Sequence, residues 1–269
     1  MAGYKEWIEN AEIKIDYFSA FLKAWIAFNA WYNNSGEIQG KTDQQCIEYI
    51  SEQTNRFKQY IISLLEQDGS ESKSYKSNIA KLHEALLNSP ITSQKYLGLK
   101  QDISFSQIAI KNKNANHHFD YNGVNYSCIK SHGKMTTVVR DIKKNSEIFV
   151  YEQEGWNDEE LRQQTDFISM TKLRKDKCIE CYNAMRPYIM SSVLCVDEFK
   201  TEEEKKIHSI ELGVYSFVKD TNKISEAIVK ILYMLRCCLA HGDITPDDKT
   251  KDVYKYAYEV LLTPLLKLK

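Results

Sequence analysis

At 269 residues, 43% of them hydrophobic and 27% charged, the chain has the length for one large domain or two small ones and the composition of a globular protein. A formal net charge of −1 excludes a chain that coats nucleic acid by bulk electrostatics, so any nucleic-acid site must be a local patch. Four prolines and ten glycines point to helices with few turns, and seven cysteines behind a polar start, MAGYKEWIEN, fit a reducing cytoplasm without a secretion signal.

Residues 4–33 read as one long helix, in which Tyr4, Ile8, Ala11, Ile15, Phe18, Leu22, Trp25, Asn29 and Tyr32 alternate steps of four and three. Its apolar second half is too short for a membrane span and carries Lys23 and Asn29, so it is expected in a core. Asn29 needs partners if buried. It either orients a catalytic side chain on a facing helix or bonds a neighbouring backbone group or water.

Thr42-Asp-Gln-Gln45 is a capping box that opens a helix to about Gln67, with Ile50, Phe57, Ile61 and Leu64 inward. A third helix over about 74–88 buries Tyr75, Ile79, Leu82 and Leu86 and stops at Ser89-Pro90. His83, beside that stripe, is expected as a packed or surface histidine rather than a ligand. From 91 to 156 helical periodicity is lost. Asn122-Gly123 between alternating apolar residues signals a hairpin, and MTTVV and IFVY add candidate strands. The span reads as an insertion with a small antiparallel sheet. Its Lys111, Lys113, His117 and His118 form either an RNA-contacting edge or an ordinary solvated loop.

Helix returns over 157–192, with Asn157 as cap, Glu160 closing the box, and Leu161, Ile168 and Ile179 apolar. The run Lys172, Arg174, Lys175 and Lys177 is a phosphate-contacting patch or simply a wet face. Cys178 and Cys181 supply only two thiols with no second pair at metal spacing, so packed free cysteines are expected and no metal site is assigned. Residues 201–206 are a solvated helix start or turn, and 207–218 mixes both periods. From Asn222 the stripe Ile224, Ile228, Ile231, Leu235, Cys238 builds a helix that Gly242 ends as a left-handed cap. Thr245 as cap and Pro246 at the first position open a last helix, buried through Val253, Ala257, Val260 and Pro264.

Just before Gly242 stands Arg236-Cys-Cys-Leu-Ala-His241, a fixed cationic fork followed by a side chain that exchanges protons near neutral pH. This spacing resembles the signature of the HEPN superfamily of helical ribonucleases, Arg, four to six residues, then His. The longer run ILYMLRCCLAHG resembles bacterial HEPN branches, and FLKAWIAFNAWY resembles their first helix. The chain departs from the family at Cys237, where Asn, Asp or His often follows the Arg. It also lacks a Tyr two residues after the His, where it has Asp243.

The expected fold is mainly α: a HEPN-like helical bundle (1–90 plus 157–269) with a small α+β insertion (91–156) carrying a short antiparallel hairpin. The resemblance implies a metal-independent endoribonuclease. The RNA 2′-hydroxyl attacks the phosphate, His241 moves a proton as base or acid, and Arg236 neutralises the phosphorane, leaving a 2′,3′-cyclic phosphate and a 5′-hydroxyl. It further implies no cofactor, a homodimer whose two Arg–His pairs share one cleft, and a role as a toxin or antiviral-defence effector with an antitoxin or defence-system partner. Asn29, Tyr32, Tyr233 and Cys237 are candidates to support the pair, and Asp243 and Lys249 to rim the cleft. The alternatives are a non-catalytic HEPN-like RNA- or nucleotide-binding or interaction module, and a plain scaffold. Arg236 tied to a carboxylate, with His241 buried in apolar packing, would mark the scaffold.

Overall fold

The computed structural model describes residues 15–93, 100–195, 199 and 201–269. The expected helix positions Tyr4, Ile8 and Ala11 lie outside them. The protein is 52% helix and 21% strand, with the strands in four sheets among the described residues. That makes it an α+β fold and corrects the expectation of a mainly α bundle with a small hairpin. The reason is local: tight turns chain the short β-like runs into one sheet, and most of the ambiguous 207–218, from Ser209 to Val218, folds as a second hairpin.

The chain forms two compact units, Met1–Ile108 with Ser191–Lys269, and Ala109–Met190. The first opens with α1 (Tyr17–Asn34), α2 (Asp43–Glu52), α3 (Arg56–Glu66) and α4 (Ser70–Asn88). Its short strands β1 (Thr92–Ser93) and β2 (Gln101–Asp102) then pair antiparallel. The single helix expected from Thr42 to Gln67 is thus two. Asn55 splits it: its side chain accepts from Lys58 N and donates to the carbonyls of Ile50 and Gln53, ending one helix while capping the next. Along α1 the buried side chains are Phe21, Ala24, Trp25, Phe28 and Tyr32, so the stripe is centred between the expected Phe18, Leu22 and Asn29, and Asn29 sits half-buried at its border.

All but the first residue of β3 (Ile108–Lys111) and all but the last of β8 (Tyr188–Ser191), which pair with each other, belong to the second unit. Between them β4 (Asn116–Tyr121), β5 (Val124–Ser131), β6 (Lys134–Asp141) and β7 (Ser146–Glu154) form an antiparallel meander in sequence order. The turns Asn122-Gly123 and His132-Gly133 both carry positive φ at each central residue, the geometry that joins adjacent twisted strands in two residues. Three short helices, α5 (Asp158–Arg162), α6 (Thr165–Ser169) and α7 (Lys172–Asn183), replace the longer helix expected after 157. They cover one sheet face through Leu161, Phe167, Met170, Cys178, Ile179, Cys181 and Tyr182, whereas Ile168 points to solvent. His117 and His118 lie on opposite faces of β4, the edge strand of this sheet, and Lys111 ends β3.

Back in the first unit follow α8 (Glu202–His208) and the hairpin β9 (Ser209–Leu212) and β10 (Tyr215–Val218). At its turn Gly213 has φ +62, and a Cβ there would meet Ala80 Cβ at 2.6 Å, so only glycine fits. Then come α9 (Thr221–His241) and α10 (Asp248–Leu266). The latter starts two residues later than its sequence suggests. Asp247 caps Thr250 N while the Thr250 hydroxyl answers Asp247 N, a reciprocal box that outcompetes Thr245 and Pro246. No helix among the described residues is long and apolar enough to cross a membrane.

His83 is 3% exposed, edge-on to the rings of Phe105, Tyr215 and Phe217, and its Nδ1 has no hydrogen-bond partner among the described residues. Burial holds its pKa below the usual imidazole value. The unfolded chain therefore takes up this proton first as pH falls, and the stability held above the ordinary histidine pKa is lost on acidification toward the lowered one. Wild type is expected to lose more of its denaturation midpoint between about pH 7 and pH 5 than His83→Gln. Parallel losses would show that His83 does not carry this linkage.

Candidate functional site

α9 is the central helix of the first unit. From Ile224 to Leu235 it is buried on almost every side, packed by α2, α3 and the aromatic stripe of α1. Arg236 and Cys237 are half-buried, and Ala240 and His241 are exposed, so the last turn carries the motif out of the core into solvent. Gly242 stops the helix with φ 70; its N–H donates to Leu239 O and that of Asp243 to Cys238 O at 2.9 Å. From α10, the Tyr254 hydroxyl donates to the Leu235 carbonyl at 2.8 Å, fixing the turn that presents Arg236.

Arg236 Nη2 lies 3.1 Å from Asp43 Oδ2. The other oxygen of that carboxylate accepts from the Tyr32 hydroxyl at 2.9 Å and from Asn29 Nδ2 at 3.1 Å, and Asn29 Nδ2 also lies 2.6 Å from Tyr32 Oη. Asn33 Nδ2 in turn donates to Asn29 Oδ1 at 2.9 Å. Three helices thus converge on one carboxylate. Asn29, Tyr32 and Asn33 share a face of α1 at steps of three and four. Asp43 occupies the first position of α2, where the helix dipole favours a negative charge. Burial, with Asp43 beside it, pushes the Tyr32 hydroxyl up from its ordinary value, so at neutral pH it is a proton donor to that carboxylate. Among the described residues Arg236 has no second ion pair. One nitrogen of its fork is committed, and its side chain is partly exposed.

Of the residues expected at the site, Asn29, Tyr32 and Arg236 come together, and Cys237 and Tyr233 adjoin them. Tyr233 is buried, its ring 6.0 Å from that of Trp25, and its hydroxyl pairs with the Cys237 thiol one turn on; burial and then Cys237 push it up. His241 lies five residues beyond Arg236, about 7.5 Å along the axis and about 140° around it, which stacks it over Cys237 rather than Arg236. Ala240, one turn from Arg236, is exposed. Asp243 serves the helix cap through its backbone. Lys249 is not part of this cluster: it lines a separate cleft of about 460 Å³ with Lys81, Glu84, Asn88, Asp252 and Tyr256.

The marks set for a scaffold are met by half. Arg236 is tied to a carboxylate, but His241 is exposed instead of packed in apolar surroundings. Asp43 is the residue that sequence reading missed, because its neighbours Thr42 and Gln45 accounted for it as a helix start. Even there the box is incomplete: Gln45 N donates to the Thr42 hydroxyl, while Gln45 Oε1 accepts from Lys41 N. Comparison of the chain with protein-family models, characterised proteins and solved structures finds no match.

Proposed function

We propose that the protein is a metal-independent endoribonuclease of HEPN type, with Arg236 and His241 as its catalytic residues. The observation that carries the reading is the end of α9, an arginine held by a buttressed carboxylate and an exposed histidine five residues further on. The partly exposed guanidinium binds the scissile phosphate and offsets the charge that builds on it as the 2′-oxygen attacks. His241 transfers a proton at that oxygen or at the departing 5′-oxygen. Asp43, steadied by Asn29 and Tyr32, fixes the direction of the guanidinium without touching RNA, so it is a positioning residue.

One histidine serves one of the two proton transfers. A second copy of the chain supplies the other, with the two α9 ends facing across a shared cleft. In this reading the protein acts as a toxin or antiviral-defence effector. The test is incubation of the purified protein with total RNA in EDTA. Cleavage that leaves 2′,3′-cyclic phosphate ends supports the proposal, while RNA left intact by a crosslinkable dimer overturns it.

A second reading, a non-catalytic RNA-binding or interaction module, is favoured by the Arg236–Asp43 pair itself, since a satisfied guanidinium needs no substrate. Retained RNA binding without cleavage would select it.

A further inference from the structure

The second unit holds a group of side chains that the proposed reaction does not use. Cys128 on β5 and Cys178 and Cys181 on α7 are free thiols with no exposed surface, set where the helix crosses the sheet. The Cys181 thiol donates to the His117 carbonyl at 3.5 Å, and His117 is the cross-strand partner of Cys128, so Cys181 is set beside Cys128. The Cys128 thiol itself donates to Thr137 Oγ1 at 3.6 Å. Cys178 lies one turn earlier on the same helix. The described residues bring together no metal-ligand group of three or more His, Cys, Asp or Glu.

We infer that Cys128 and Cys181 are a disulfide-forming pair, a covalent modification site that ties α7 to β5 when the protein meets a low-molecular-mass disulfide. The neighbouring Cys181 holds the Cys128 thiol below its ordinary pKa, while Cys128 raises that of Cys181, so Cys128 reacts first. Cys128 as thiolate attacks one sulfur of the oxidant and expels the other half as a thiolate, leaving a mixed disulfide on Cys128. Cys181 then loses its proton and attacks Cys128 Sγ, expelling the second half. Two electrons pass from the protein thiols to the oxidant, and their two protons end on its two released thiols. Burial makes the first step wait on a local opening of α7 from the sheet, so the reaction is slow and rises with conditions that loosen the unit. The Cys178 thiol, pushed up to about 12 chiefly by burial, is the poorer competitor for the mixed disulfide.

The experiment treats the full chain with oxidised glutathione, quenches with iodoacetamide and maps peptides without reduction. The expected product is a cross-linked peptide pair joining Cys128 to Cys181, with the loss of two hydrogen atoms. It should also form in Cys178→Ser. In Cys181→Ser the same treatment should stop at glutathione retained on Cys128. A bond from Cys128 to Cys178 overturns the assignment. So does glutathione on the half-buried Cys195 and Cys237 while Cys128 and Cys181 stay free. The wild-type map alone decides between these outcomes, so a variant that fails to fold leaves the test intact.

Discussion

Arg236→Ala and His241→Ala are each expected to lower RNA cleavage by roughly 10²–10⁴-fold, with the folded fraction and melting temperature close to wild type for His241→Ala. His241 is exposed and contributes little packing, so its removal reads chemistry almost alone. Arg236→Ala also strips Asp43 of its charge partner, a partly exposed pair whose loss costs about 1 kcal/mol or less once solvent screening is counted. The measurement is single-turnover cleavage of a radiolabelled RNA alongside thermal unfolding. Cleavage unchanged in both variants would sink the assignment of these two residues.

Asp43→Asn is the second large effect and separates two roles for the carboxylate. The amide keeps an acceptor for Tyr32 and Asn29 but has no charge with which to hold Arg236. If Asp43 positions the guanidinium, the cleavage rate falls on the order of 10²-fold while RNA affinity holds or tightens, because a negative charge beside the phosphate site is gone. Asp43→Ala should match it in rate and lose a further 1–2 kcal/mol or so of stability, since the Tyr32 and Asn29 donors are left without their acceptor. Faster cleavage by Asp43→Asn would instead mean that the carboxylate competes with phosphate for Arg236, and the positioning role would be withdrawn.

The helix carrying the motif was legible in the sequence because its signals are local. Ile224, Ile228, Ile231, Leu235 and Cys238 are all buried, and Gly242 takes the left-handed cap it was expected to take. What the stripe did not convey is that Val229, Lys230, Leu232, Tyr233 and Met234 are buried too; burial all round depends on neighbours that a periodicity does not contain. Asp43 was illegible for a related reason. A carboxylate in the first turn of a helix satisfies a local rule, and its pairing with an arginine far along the chain leaves no trace in spacing. In the second unit the strands were visible singly, but their union depended on His132-Gly133, a turn signal weaker than Asn122-Gly123 and not weighed as one. The breaks at Asn55 and Met170 show the opposite failure, where apolar periodicity ran smoothly across a point at which the helix actually ended.

The hydroxyl of Tyr254 on the Leu235 carbonyl bears on how the protein is made. On the proposed reading, a ribosome releases residues of α1 and α2 long before α9, and α9 before the α10 tyrosine that braces the turn under Arg236. A partly synthesised chain therefore carries Asp43, Arg236 and His241 without the frame that aligns them. A nuclease built this way stays harmless to the RNA around it, including the message being read, until α10 has emerged and the unit has closed as a whole.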